Sequence, residues 1–123
     1  MVAIVIVEDS IFFADLAMRI LKRSGMNARC RLVSTRTALQ TALREEKWDI
    51  IISDNIMPEF SALGALEVRN EICDETPFII VSEDITAKEL KEAFDKGCKV
   101  YLPKEKIMEL PELIRQVLQQ DEI

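Results

Sequence analysis

Histidine is absent from this chain. Its absence excludes histidine zinc sites and an imidazole general base, and the chain cannot be its own phosphohistidine donor. Cysteine is scarce: Cys30, Cys73 and Cys98 are odd in number and widely spaced, with no C-x-x-C. Neither a disulfide framework nor a thiolate metal site is expected. Small buried thiols in a reducing, cytoplasmic compartment are the plain reading. No apolar run approaches the ~18–20 residues of a membrane span. Residues 1–7 are apolar but short and lack a basic leader, so no signal peptide is expected. Lys/Arg blocks are missing and the net charge is −6, which argues against a nucleic-acid surface, since basic stripes neutralise phosphates. Neither G-x-x-x-x-G-K nor G-x-G-x-x-G occurs, so the chain is not built around a nucleotide.

What is present is enough for one ordinary domain. The 123 residues are 49% hydrophobic and 31% charged, as in a soluble globular protein able to bury a single core without staples. Four short apolar runs each end on a charged or hydroxyl residue. Residues 2–7 run into Glu8 and Asp9, 50–53 into Asp54, 78–81 into Ser82, and 100–103 into Lys104. Runs of this kind, alternating with helical stretches, read as strands of a parallel sheet buried on both faces. In such sheets the binding crevice lies beyond the carboxyl ends of the strands. Three carboxylates, a hydroxyl and an ammonium would converge there.

The stretches between the runs supply the helices. Ser10 is a good N-cap, and Phe13, Leu16, Ala17, Ile20 and Leu21 then form one helical stripe that Gly25 ends. Residues 28–33 predict a second strand, with Arg29 and Arg31 alternating outward as at a sheet edge. Ser34 or Thr35 can cap a second helix with Ala38, Leu39, Ala42 and Leu43 inward, closed by Trp48. The third strand is expected over 49–53. Residues 55–60 read as a loop, because Pro58 lacks the donor a strand interior needs. Ser61 caps a third helix to about Ile72, and Thr76-Pro77 forces an extended start to a fourth strand over 78–82. Thr86 and Glu89 make a capping box for a helix that carries Leu90, Ala93 and Phe94 and stops at Gly97. A fifth strand is expected over 99–102. Pro111 suits the first turn of a last helix whose stripe is Leu110, Leu113, Ile114, Val117 and Leu118. Five β-α units with right-handed crossovers give a three-layer α/β/α sandwich around a five-stranded parallel sheet of order 2-1-3-4-5. The switch point then falls between strands one and three, with Glu8, Asp9 and Asp54 on either side of the crevice.

Three carboxylates in one crevice repel each other, and without a cation at least one pKa would rise. Mg²⁺ suits such a site: few carboxylates, several waters, and room for a phosphoryl oxygen. Lys104 supplies a second, fixed positive charge that can pair with Asp54 or with an incoming phosphoryl group, and Ser82 can donate to a phosphoryl oxygen. A carboxylate nucleophile beside Mg²⁺ and lysine points to aspartyl-phosphate chemistry.

The residues also carry a family resemblance. Val-Glu-Asp-Ser (7–10), Ser-Asp-Asn-Ile-Met-Pro (53–58), Ile-Ile-Val-Ser (79–82) and Tyr-Leu-Pro-Lys (101–104) stand in this order and at this spacing. Together they resemble the receiver domain of two-component response regulators over essentially the whole chain. The resemblance implies a single receiver domain over residues 1–123 with the flavodoxin-like receiver fold. Stretches 57–63 and 77–82 are similar to receivers that accompany PAS sensor and hybrid histidine kinase modules. By the same resemblance, Asp54 would accept a phosphoryl group from a phosphohistidine on a sensor histidine kinase or histidine phosphotransfer domain. Asp9 would bind Mg²⁺ directly, Glu8 partly through water, and the backbone carbonyl of Ile56 would be a further ligand. Lys104 would pair with the phosphoryl group, Ser82 would move toward it, and Tyr101 would follow by turning inward. The switch would be read on the surface of the fourth helix, fifth strand and fifth helix, which is also the expected surface for a homodimer. Such a domain catalyses its own phosphorylation and dephosphorylation and is not an enzyme acting on other molecules. No nucleic-acid or membrane partner is expected.

Two features depart from the family pattern. The residue after the switch hydroxyl is usually Ala or Gly; here it is Glu83, whose carboxylate repels an incoming phosphate and crowds the site. The usual Lys-Pro step is also absent, since Pro103 precedes Lys104 and Glu105 follows it, so no cis peptide is expected after the lysine. Glu83 keeps open a degenerate receiver that binds partners without being phosphorylated. A small phosphohydrolase with an Asp nucleophile is the other alternative, but Ile56 stands where its acid/base Asp would be. No effector segment is expected after Gln120, and no output is read from these residues. Binding a target, relaying phosphate onward and serving as one module of a larger kinase all stay open.

Overall fold

The apolar runs become neighbouring strands in the computed structural model, which describes residues 1–121. Residues 122 and 123, the end of the expected 1–123 domain, lie outside the described residues. In chain order the elements are β1 (Val2–Val7), α1 (Ile11–Arg23), β2 (Ala28–Val33), α2 (Arg36–Glu45) and β3 (Ile50–Ser53). A small pair follows, β4 (Ile56–Met57) and β5 (Phe60–Ser61), then α3 (Ala62–Ile72), β6 (Phe78–Ser82) and α4 (Ala87–Asp95). The chain closes with β7 (Val100–Pro103), a 3₁₀ segment (Lys104–Glu109) and α5 (Leu110–Asp121). The main sheet is parallel in the order β2-β1-β3-β6-β7. In sheet-strand terms this is the expected 2-1-3-4-5.

Continuous apolar runs serve two cores at once, because successive side chains on a strand point to opposite faces. Ile4, Ile6, Ile50, Ile52, Ile79 and Val81 pack with Ala17, Ile20 and Leu21 of α1 and with Leu110, Ile114 and Val117 of α5. Val5, Val7, Ile51, Phe78 and Ile80 pack on the other face with α2 and α3 and with Ala93 of α4. Burying each such side chain is worth ~1.5–3 kcal/mol. Both faces therefore contribute, and the sheet is held from two sides. The helices are capped as their sequences predict. Ser10, Thr35, Ser61 and Thr86 each accept from the backbone N–H three residues on, and Thr86 with Glu89 forms the full capping box. Trp48 is buried, and its indole Nε1 donates to the Ala42 carbonyl at 2.8 Å. The cysteines are free, and burial pushes the Cys98 thiol up to about 11.

Several expectations are corrected. Residues 55–60 are not a plain loop: Ile56 pairs with Ser61 and Met57 with Phe60 around Pro58 and Glu59. Pro58 fixes one turn dihedral, and Glu59 takes the left-handed conformation at φ 61°. The third strand starts at Ile50 rather than 49; Asp49 still donates its N–H to the Ala3 carbonyl at 2.8 Å, but the Ala3 N–H is taken by the Asp49 carboxylate at 2.7 Å. The fifth sheet strand is shifted by one residue to include Pro103, which a sheet edge tolerates. On α1 the buried stripe is Ala14, Ala17, Ile20 and Leu21; Leu16 is exposed and Phe13 half-buried. On α4 only Ala93 is buried, and Phe94 turns outward. Among the described residues there is no cis peptide.

Candidate functional site

Register decides which side chains meet. β1 lies against β3 with Val7 opposite Ser53, so Glu8 and Asp54 leave the sheet side by side. β6 lies against β7 with Ser82 opposite Pro103, so Lys104 emerges next to the hydroxyl. Backbone bonds fix the exits: Asp54 N–H donates to the Val7 carbonyl and Glu8 N–H to the Val33 carbonyl, both at 2.9 Å. This is the carboxyl end of the strands and the switch point of the sheet.

Three carboxylates gather there. Ligand oxygens of Glu8, Asp9 and Asp54 all lie within 4.8 Å of one another. Glu8 and Asp54 are buried, while Asp9 is exposed. Lys104 reaches in from β7, its Nζ 2.8 Å from Glu8 Oε1 and 3.4 Å from Asp54 Oδ2. Asp54 Oδ1 accepts from the Asn55 N–H at 2.8 Å, and Glu8 Oε2 from the Ser10 N–H at 3.1 Å. Burial raises the Glu8 pKa above its ordinary value against the opposing pull of Lys104 and Ser10, and the Asp54 charge raises it further. Burial works against the Lys104 ammonium, but Glu8 and Asp54 outweigh it and hold its pKa above the usual lysine range. The donor set is all oxygen and carries more negative charge than one ammonium offsets. That chemistry fits a hard divalent cation such as Mg²⁺.

Ser82 is buried, and its Oγ accepts from the Asp84 N–H at 3.2 Å, with the Asp84 carbonyl at 3.4 Å. Tyr101 is half-buried, and its hydroxyl donates to the Ser82 carbonyl at 3.0 Å. Ile56 opens the β4–β5 hairpin two residues past Asp54, with its side chain exposed. Glu83 is exposed on the rim of a groove of about 540 Å³ that Phe13, Leu16, Tyr101, Pro103, Lys104 and Glu105 also line. A larger hollow of about 770 Å³, around Met1, Trp48, Thr76 and Pro77, lies at the opposite end of the strands, away from these groups.

Two site residues were not singled out from the sequence. Asn55 is buried at 2% exposure, donates from Nδ2 to the Asp84 carbonyl at 2.8 Å and to Glu89 Oε2 at 3.4 Å, and leaves Oδ1 without a partner. A polar residue directly after a buried strand end is the signal that could have found it. Phe13 holds its ring 4.2 Å from the Lys104 Nζ, centroid to nitrogen. Its position in the first turn after the Ser10 cap, at the strand-end side of α1, was the available clue.

Comparison with known proteins bears on the family and the fold. The family "Response regulator receiver domain" matches residues 4–117. None of the curated proteins compared with the chain matches it. Among solved structures, a CheY-like response regulator receiver domain protein from Methanospirillum hungatei has a TM-score of 0.89 at 20% identity, covering 99% of this chain and 97% of its own. The signal receiver domain of a histidine kinase from Syntrophus aciditrophicus has a TM-score of 0.82 at 23% identity, covering 98% and 92%. The receiver domain of a Pseudomonas aeruginosa sensor histidine kinase, with magnesium coordinated in its active-site cleft, has a TM-score of 0.80 at 20% identity, covering 95% and 97%. At these identities the structures establish the fold; the family match establishes membership.

The chain is a receiver domain of two-component signalling, with an acidic pocket of Glu8, Asp9 and Asp54 suited to Mg²⁺. It belongs to the response regulator receiver domain family. Among the described residues no helix is long and apolar enough to cross a membrane.

Proposed function

We propose that the chain is a phosphorelay receiver whose Asp54 takes a phosphoryl group from a phosphohistidine on a sensor histidine kinase or histidine phosphotransfer domain. One observation carries this reading: the Asp54 carboxylate shares the crevice at the switch point of the sheet with the carboxylates of Glu8 and Asp9, and the Lys104 ammonium lies 3.4 Å from its Oδ2. Its Oδ1 is held by the Asn55 N–H and its Oδ2 faces Lys104, so the carboxylate is oriented before a donor arrives. A carboxylate oxygen of Asp54 attacks phosphorus, the phosphorus–nitrogen bond of the donor breaks, and an acyl phosphate forms. Lys104 follows the negative charge onto the phosphoryl oxygens. Glu8, Asp9, Asp54 and the Ile56 carbonyl would hold Mg²⁺, which supplies charge neutralisation between carboxylate and phosphoryl group.

Ser82 then exchanges its Asp84 contacts for a phosphoryl oxygen, and Tyr101 releases the Ser82 carbonyl as it turns inward. The change is read on the face of α4, β7 and α5, the surface for a target or for a homodimer. In this reading residues 1–123 are one cytoplasmic domain. It catalyses its own phosphorylation and dephosphorylation, acts on no other substrate, and binds neither nucleic acid nor membrane. It serves alone or as a module of a larger hybrid kinase.

The test is incubation with Mg²⁺ and acetyl phosphate, read by intact mass, with Asp54→Asn and a metal-chelated sample alongside. A phosphoryl mass gain only in the wild type with metal supports the reading; equal labelling of Asp54→Asn defeats it. Glu83 on the groove rim favours a second reading, a degenerate receiver that binds partners unphosphorylated. That reading gains if neither acetyl phosphate nor a cognate kinase labels the protein.

A further inference from the structure

Lys104 is held on three sides. Its ammonium lies 2.8 Å from Glu8 Oε1, 3.4 Å from Asp54 Oδ2 and 4.2 Å from the centroid of the Phe13 ring. The two carboxylates belong to the candidate cation cluster; the ring does not. One N-cap sets both the ring and Glu8. The Ser10 N–H donates to Glu8 Oε2 at 3.1 Å, and the Phe13 N–H donates to Ser10 Oγ at 3.1 Å. The start of α1 therefore fixes a carboxylate and an aromatic face at a set separation, with the ammonium between them.

The ring also occupies a boundary. It packs against the core between the sheet and helices α1 and α5. It lines both the small space of about 10 Å³ beside Glu8 and Asp54 and the open groove beside Glu83 and Tyr101. Lys104 lines the groove with the ring and has little contact with water, its side chain only 12% exposed.

We propose that Phe13 is a positioning residue whose ring face keeps the Lys104 ammonium at the site when Glu8 and Asp54 turn to a divalent cation and a phosphoryl group. The inference rests on the phosphoacceptor reading of Asp54. A carboxylate engaged by a metal ion attracts a neighbouring ammonium less, and the four-carbon lysine stem imposes no direction of its own. The attraction of the ring quadrupole is unaffected by what the carboxylates bind, and it strengthens where water is scarce. In the resting arrangement Lys104 leans on Glu8, its nearer partner. Its ammonium then turns toward the phosphoryl oxygens while staying over the same ring.

The experiment uses the whole chain and the variants Phe13→Leu, Phe13→Met and Phe13→Tyr, each checked for cooperative unfolding. Two apolar replacements keep the test standing if one folds poorly. The first readout is the proton shift of the Lys104 side-chain methylenes, moved upfield by a ring face. This shift is expected in wild type and Phe13→Tyr and lost in Leu and Met. The second is the dissociation constant of beryllofluoride in saturating Mg²⁺. Leu and Met should bind it roughly five- to tenfold more weakly, with Tyr within about twofold of wild type. Affinity for Mg²⁺ alone should stay within about twofold in all of them. Beryllofluoride bound equally by Phe13→Leu and wild type overturns the role of Phe13 alone. A Phe13→Tyr protein as weak as Phe13→Leu overturns it as well, because the requirement is then for volume rather than a ring. Wild type that neither binds beryllofluoride nor labels overturns the phosphoacceptor reading beneath it, whatever the methylene shifts show.

Discussion

The Tyr101 hydroxyl donates to the backbone carbonyl of Ser82 at 3.0 Å, tying the edge strand β7 to the end of β6. Any reorientation of the ring has to break this bond. Tyr101→Phe keeps the ring and removes the bond, so it should cost ~0.5–1.5 kcal/mol of stability in urea unfolding. If the bond exists only in the resting arrangement, its loss also shifts the population toward the switched one. Beryllofluoride should then bind a few-fold more tightly, by up to about fivefold. An unchanged affinity would mean that Tyr101 keeps the bond in both arrangements and does not switch.

Asn55 joins the acceptor strand to the turn after β6. Its amide donates to the Asp84 carbonyl and to Glu89, and the same Asp84 residue holds the Ser82 hydroxyl. Asn55→Ala removes these donors and also the unpartnered buried Oδ1, so the two effects oppose each other in the global balance. Global stability should change by less than ~1 kcal/mol. Local protection should fall instead: amide exchange over residues 84–87 should quicken about tenfold. Unchanged exchange there would show that the Thr86–Glu89 capping box alone fixes the turn.

The sheet order, the four N-caps and the meeting of Glu8, Asp9, Asp54 and Lys104 were legible because each follows from periodicity or from a strand end. A strand that stops at Val7 or Ser53 must deliver the next residue to the same rim. The hairpin at Ile56–Ser61 was not legible, since two-residue strands carry no period and Glu59 gives no sign of a left-handed conformation. Leu16 and Phe94 were misplaced because an apolar residue at the margin of a helical stripe is buried only if a neighbouring element covers it. Asn55 and Phe13 escaped for a related reason. Their importance lies in contacts to residues 29 and 91 positions away along the chain, which no local pattern encodes.

Glu8 makes the site pH-dependent. Its pKa in the folded chain is raised, chiefly by burial, so the protonated form is favoured by folding. Its stabilising contribution is present below the ordinary glutamate range and is lost as pH rises through the raised value. Lys104 is raised too, so its contribution persists to beyond the ordinary lysine range and is lost only above it. Between these limits the metal-free protein carries a buried glutamate charge. Mg²⁺ binding should therefore release protons at mildly acidic pH, and its affinity should rise with pH. Melting temperatures with and without Mg²⁺, at about pH 5 and about pH 8, should diverge more at the higher pH. Glu8→Gln should flatten that difference and weaken Mg²⁺ binding about tenfold. An equal Mg²⁺ effect at both pH values would place the cation away from Glu8.

Glu83 lines the groove together with Lys104. A phosphoryl donor approaching through that groove comes near its carboxylate as well as the ammonium. At a separation of about 8 Å in a water-like dielectric, one negative charge repels another by ~0.5 kcal/mol, and a doubly charged small donor by about twice that. Glu83→Ala should then speed labelling by acetyl phosphate about three- to fivefold at low ionic strength. The gain should shrink toward unity near 1 M salt, where the screening length falls to about 3 Å. A gain that survives high salt would mean that the side chain obstructs the donor by its bulk. A Glu83→Ala protein that labels at the wild-type rate in both conditions would show that the rim charge does not limit transfer. The control of its rate would then lie with the Asp54–Lys104 pair and the carboxylates beside it.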